Sequence, residues 1–142
     1  MISIFSLIKE VITPSQEYQE RVNDIIDQGG EFLGSGDYGS VYLVGDKVKK
    51  VTSDEVEIEH AEVLKGKQTQ YFVPIIDVEV VNPKLAIITM PNMKPFNGKV
   101  SDEFIAKLNK EAGDIGIDPD ELDIRPDNFM LDSEGNLKMT DV

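Results

Sequence analysis

At 142 residues the chain has room for one domain, or for two small lobes sharing a core, but is too short for the usual complement of a large enzyme fold. Hydrophobic residues at 40% permit a packed core and exclude wholesale disorder, and 27 acidic against 14 basic residues give a net charge of -13 that repels nucleic-acid backbones and anionic membranes. With no cysteine, disulfides, thiol nucleophiles and thiolate metal sites are excluded; a single histidine leaves little room for zinc, and an intracellular, cytoplasmic chain is expected.

The opening MISIFSLIKEVI is too short for a membrane span, carries Lys9 and Glu10, and lacks the basic start and small-residue cleavage site of a signal peptide. Its Ile4, Leu7, Ile8 and Val11 fall at helical spacing, a stripe for packing on the chain's own domain or, second, on a partner. Thr13 as N-cap, Pro14 in the first turn and Gln16 as capping-box partner predict a helix with Tyr18, Val22, Ile25 and Ile26 on one face, ending at Gly29-Gly30. The period then changes to two: strands are predicted at Phe32-Leu33, at Val41 to Val44, and through Val48 to Val51, with Gly45-Asp46 as the tight turn between the last two.

Thr52 and Glu55 suggest a second capping box, opening a helix that stops near Gly66. Two strands follow, Tyr71 to Val81 and Leu85 to Met90, split by Asn82-Pro83. Pro91, Pro95 and Gly98 mark a linker, and Ser101 is placed to cap a helix with Ile105, Leu108 and Ala112 on one face. An Asp- and Pro-rich loop, the strand Phe129 to Leu131, a turn and a last strand Leu137 to Thr140 complete the order, and residues 101–142 are the acidic end, with 12 acids against 4 bases.

Three groups of residues carry chemistry. Gly34-Ser35-Gly36-Asp37-Tyr38-Gly39 contains GxGxxG, a pattern shared by two unrelated nucleotide sites and also by ordinary glycine turns. A dinucleotide fingerprint needs a helix directly after it, whereas here a strand comes next and turns back at Gly45, which makes a glycine-rich hairpin able to lie over phosphates. Lys50 points to the same side as Val48, toward the pocket under that loop. Glu55, Glu59 and Glu62 form a face able to offer it a carboxylate, or else a solvated acidic face. Finally, Asn128 at the end of a loop and Asp141 at the end of a hairpin strand can converge on Mg²⁺, with Asp123 able to take or orient a hydroxyl proton.

Over residues 31 to 142 these pieces resemble the protein-kinase superfamily in both kind and order. The resemblance implies an α+β, kinase-like fold: an N-terminal helical segment over 1–30, a five-stranded N-lobe with one main helix over 31–93, a hinge near Thr89 to Lys94, and a reduced C-lobe over 94–142. It implies ATP and Mg²⁺ as cofactors, contacts to ATP from Gly34, Ser35, Gly36, Gly39, Val41, Lys50, Glu59 and Met90, catalytic roles for Asp123, Arg125 and Lys50, and metal ligation by Asn128 and Asp141. Glu59 is the preferred partner for Lys50, with Glu62 and Glu55 as alternatives.

The chain departs from the family pattern at several positions. Glu121-Leu122-Asp123 stands for His-Arg-Asp, Arg125 for the usual lysine, and Val142 for the Phe of Asp-Phe-Gly, where the sequence stops. The resemblance therefore implies a nucleotide site more strongly than a phosphorylated protein. The expected activity is a Ser/Thr kinase-like phosphotransferase acting on a protein or small-molecule hydroxyl. A pseudokinase-like regulatory module that binds a partner protein is the alternative, and an acidic DNA mimic the third. The N-terminal helices are expected to cover surface that later C-lobe helices would protect, with a homodimer or partner complex through the Ile4 to Val11 stripe. The compact core suggests a phage-like origin by analogy.

Overall fold

The computed structural model describes residues 14–140, so the stripe Ile4, Leu7, Ile8 and Val11 and the metal candidate Asp141 lie outside the described residues. Helix α1 (Pro14–Asp27) opens on its proline, whose fixed φ suits a first turn, and Gly29 at φ 93° turns the chain away beyond its end. Strands β1 (Glu31–Ser35), β2 (Gly39–Val44) and β3 (Lys47–Thr52) form a meander, closed between β2 and β3 by Gly45 at φ 64°. After α2 (Glu55–Leu64), β4 (Asp77–Asn82) and β5 (Leu85–Pro91) complete an antiparallel sheet in the order β1-β2-β3-β5-β4.

All six residues from Leu85 to Met90 are buried, because β5 is an inner strand covered on both faces. Ile88 and Met90 join Val48, Ala61 and Leu64 in the larger core, while Leu85 and Ile87 join Tyr42, Val51, Val22 and Ile25 beneath α1. Alternation along β3 thus sends Val48 and Val51 into different cores. For residues 14–27 this corrects the expected place of the N-terminal helix: α1 packs on the outer face of the five-stranded sheet rather than on the reduced C-terminal part. Ile26 stays half exposed beside it.

Two other expectations change. The strand expected from Tyr71 begins its pairing with β5 only at Asp77. Ahead of it lies Pro74, which has no N–H to donate, and residues 71–73 bond elsewhere: Met139 N–H donates to the Tyr71 carbonyl at 2.8 Å and Val73 N–H to the Met139 carbonyl at 2.9 Å. The cap of α2 is Asp54, accepting from the N–H of Val56 and Glu57, rather than Thr52, which closes β3.

The C-terminal part contains β6 (Lys94–Pro95), α3 (Asp102–Ile115), two 3-10 turns (Pro119–Glu121 and Pro126–Asn128), β7 (Phe129–Leu131) and β8 (Leu137–Met139). Its strands form a small sheet ordered β6-β7-β8, of which β6 was not expected. Ser101 caps α3 through Phe104 N–H, and Gly116 in the left-handed region ends it. Leu108, Ala112, Phe129 and Met139 bury into the same core as Phe72, Leu64 and Ile88, so both halves share one interior. Phe104 packs edge-on against Tyr71 and Phe129, at centroid distances of 5.3 and 6.0 Å. In the β7–β8 turn the Asp132 carboxylate accepts from the N–H of Glu134 and Asn136, and the Asn136 bond foremost holds its pKa below the ordinary value.

Candidate functional site

The hairpin of β1 and β2 carries the glycines. Gly36 N–H donates to the Gly39 carbonyl at 2.9 Å, and the Tyr38 carbonyl accepts from both the N–H and the hydroxyl of Ser53, which ties the hairpin tip to the end of β3. A Cβ on Gly39 would collide with the Val51 carbonyl oxygen, so that glycine is required by the close approach of β2 to β3. Gly34 and Gly36 differ: nothing lies within 4 Å of where their Cβ atoms would stand. Packing within the described chain does not require these two glycines, and at Gly36, which lines the cleft, the missing side chain leaves room there.

Register then fixes the lysine. Val41 on β2 pairs with Lys50 on β3, and Lys50 pairs onward with Ile88 on β5, so its position is held from both sides. Its Nζ lies 2.6 Å from Glu57 Oε2, with the two side chains only 16% and 5% exposed. The other carboxylate oxygen accepts from Thr52 Oγ1 at 2.8 Å. Burying such a pair requires this completeness, because a desolvated carboxylate lacking partners is strongly unfavourable. The sequence expectation is corrected here: Glu59 is exposed, as are Glu55 and Glu62, and the partner of Lys50 is Glu57. Glu59 lies about 200° around the helix from Glu57 at 3.6 residues per turn.

The opposite wall comes from the C-terminal part. Asp118 caps the first 3-10 turn by accepting from Asp120 N–H, and Leu122 beyond it is buried in the core. This anchors the segment leading to Asp123, whose carboxylate meets Arg125 at 2.7 Å with both side chains more than half exposed. Asn128 is buried, and its Nδ2 donates to the Asp123 carbonyl at 2.7 Å, closing the loop from 123 to 128. The Asn128 carbonyl in turn accepts from Thr140 N–H at 2.8 Å, which fixes the chain immediately before Asp141.

A cleft of about 680 Å³ lies between these walls, within the size range of small-molecule sites. Of the expected residues, Ser35, Gly36, Gly39, Val41, Lys50, Asp123, Arg125 and Asn128 line it, together with Glu57, Asp54 and Asp127. Gly34 lies next to that lining in β1. Met90 is placed elsewhere: it is buried in the core, opposite Val48 in the sheet. Sequence reasoning missed Glu57, although it shares a helix face with Ala61 and Leu64, at i+4 and i+7, and a charged residue on an apolar stripe signals a buried pair.

No family model matches the chain, and no curated protein matches it either. Solved structures do. Rad53 (residues 1–466), in complex with AMP-PNP, superposes with a TM-score of 0.55 at 16% identity over 86% of this chain and 42% of that one. The kinase domain of Mycobacterium tuberculosis PknI superposes with a TM-score of 0.51 at 16% identity, over 78% of this chain and 57% of that one. The fold is kinase-like. The chain spans about half the length of these kinase structures, and the likeness is one of architecture: a mixed α and β chain built on a five-stranded antiparallel sheet with few helices.

Proposed function

We propose that the chain binds ATP with Mg²⁺ in this cleft and transfers the terminal phosphoryl group to a hydroxyl on a protein or small-molecule acceptor. One observation carries the reading: Lys50, held by Glu57, and Asp123, tied to Asn128 and Arg125, line the same cleft beneath a glycine hairpin with open space at Gly34 and Gly36. Rad53, whose fold this chain shares in part, was solved with a nucleotide analogue, and a ligand of that class suits a cleft of this size.

Each residue then has a defined task. Backbone N–H groups of the hairpin approach the phosphates, and Lys50, oriented by Glu57 and Thr52, supplies positive charge to them. Asp123 accepts the proton of the acceptor hydroxyl as the new oxygen–phosphorus bond forms, the bond to the bridging oxygen of the terminal phosphate breaks, and ADP departs. Arg125 balances charge on the moving phosphoryl group. Mg²⁺ needs only one or two protein oxygens beside substrate phosphates. Asn128 fits that need, because its Nδ2 is committed to the Asp123 carbonyl and its Oδ1 is the oxygen left to offer, with Asp141 as the second candidate. Bound there, the ion would neutralise phosphate charge.

The direct test incubates the purified chain with ATP labelled on its terminal phosphate and mixtures of protein and small hydroxyl acceptors. Label transfer that disappears in Asp123→Asn is expected. ATP uptake without transfer to any acceptor would reject the phosphotransfer step and move the chain to the regulatory binding-module reading.

A further inference from the structure

The sequence contains one histidine, and it is buried: the His60 side chain is 5% exposed, midway along α2. Its Nε2 lies 3.1 Å from Oε1 of Glu121, a residue 61 positions away in the 3-10 turn that leads into Asp123. An N–H at that ring nitrogen can donate to the carboxylate oxygen. Glu57 sits three residues before His60 on the same helix, so one turn of α2 holds Lys50 through Glu57 and the approach to Asp123 through His60.

The two ends of this contact are anchored differently. His60 is flanked by the buried Ile58, Ala61 and Leu64, which fix α2 in the core. Glu121 is half exposed, yet its turn is held on the other side by Leu122 and Ile117, packed with Leu108 and Ala112 of α3. The pair therefore joins the helix that sets the lysine to the loop that presents the aspartate, in a chain that carries Glu121 where the kinase pattern has its loop histidine.

We propose that His60 and Glu121 form a positioning strut that couples α2 to the catalytic loop and so sets the spacing between Lys50 and Asp123. The proposal rests on the nucleotide reading for its effect on ligand affinity, but the coupling itself can be read without ligand. Because Glu121 is half exposed, Glu121→Ala should leave the core folded, and Glu121→Gln keeps an acceptor oxygen at the same place.

The test uses the full chain. Amide hydrogen exchange in the unliganded protein should accelerate in Glu121→Ala at Arg125 and Asn128, whose N–H groups close the loop on Asp123 and Arg125 carbonyls. The lone imidazole gives one set of nitrogen-15 signals, which should shift in Glu121→Ala and return toward wild type in Glu121→Gln. Affinity for ATP with Mg²⁺ should fall roughly three- to tenfold in Glu121→Ala, the range for losing one hydrogen bond, and recover in Glu121→Gln. If the wild type binds ATP while Glu121→Ala leaves exchange, imidazole signals and affinity unchanged, the strut is overturned and the nucleotide reading stands. If the wild type takes up no ATP while the loop still loosens in Glu121→Ala, the nucleotide reading fails and the strut stands.

Discussion

The two walls of the cleft are built differently. On the sheet side, Lys50 and Glu57 are 16% and 5% exposed, fixed by a ladder with neighbours on both sides and by the buried face of α2. On the loop side, Asp123 and Arg125 are 58% and 60% exposed, held by two 3-10 turns and a few hydrogen bonds to backbone carbonyls. A charge held in a sheet is oriented before any ligand arrives, whereas a charge on a loop can meet an acceptor from solvent. The contrast suits a site in which one wall grips and the other reacts, and it makes the two walls fail in different ways when altered.

Changes in the shared core should damage both walls at once. Phe129 comes directly after Asn128, is 1% exposed, and packs against Phe104; Phe129→Ala should lower stability by about 3–5 kcal/mol in denaturant melts. A loss below about 1 kcal/mol would mean that the loop wall is not anchored through this ring. Lys50→Met should act on the sheet wall alone, lowering stability by about 3 kcal/mol because Glu57 is left buried without its cation. Unchanged stability in that variant would contradict the picture of a preset grip.

Asp123→Asn should do the reverse: phosphoryl transfer falls by roughly a hundredfold or more while stability and ATP affinity hold, since the side chain is exposed. Equal transfer rates would remove Asp123 from the reaction. The smallest effect concerns acid. The Asp132 carboxylate has a folded pKa lowered by the Asn136 N–H, so its contribution to stability is complete above about pH 4 and is lost as pH falls through the lower folded value. Asp132→Ala should therefore flatten the acid limb of the stability profile slightly, and an unchanged profile would show that the turn bonds are not what holds the hairpin.

Much of the sheet wall was legible in the sequence because its signals are local. Glycine spacing, the Gly45-Asp46 turn and two-residue alternation place Lys50 without knowledge of the rest of the fold. The helix partner was not legible by the same means: Glu55, Glu59 and Glu62 repeat at attractive helical intervals, but that regularity marks the solvated face, and Glu57 was hidden by being the single carboxylate on the apolar one. The His60–Glu121 contact spans 61 residues and no local pattern announces it. The extended stretch from Tyr71 to Val81 also reads as one strand, because propensity does not reveal that residues 71–73 bond to β8 instead of β5.

The most direct test of the central claim is calorimetric titration of the purified chain with ATP, with and without Mg²⁺, alongside Lys50→Met and Gly34→Val. Gly34→Val fills space that is open in the chain and should leave its fold intact. The account predicts saturable binding that strengthens with Mg²⁺ and weakens in both variants. No heat of binding to the wild type, or binding of equal strength in the wild type and both variants, would contradict it.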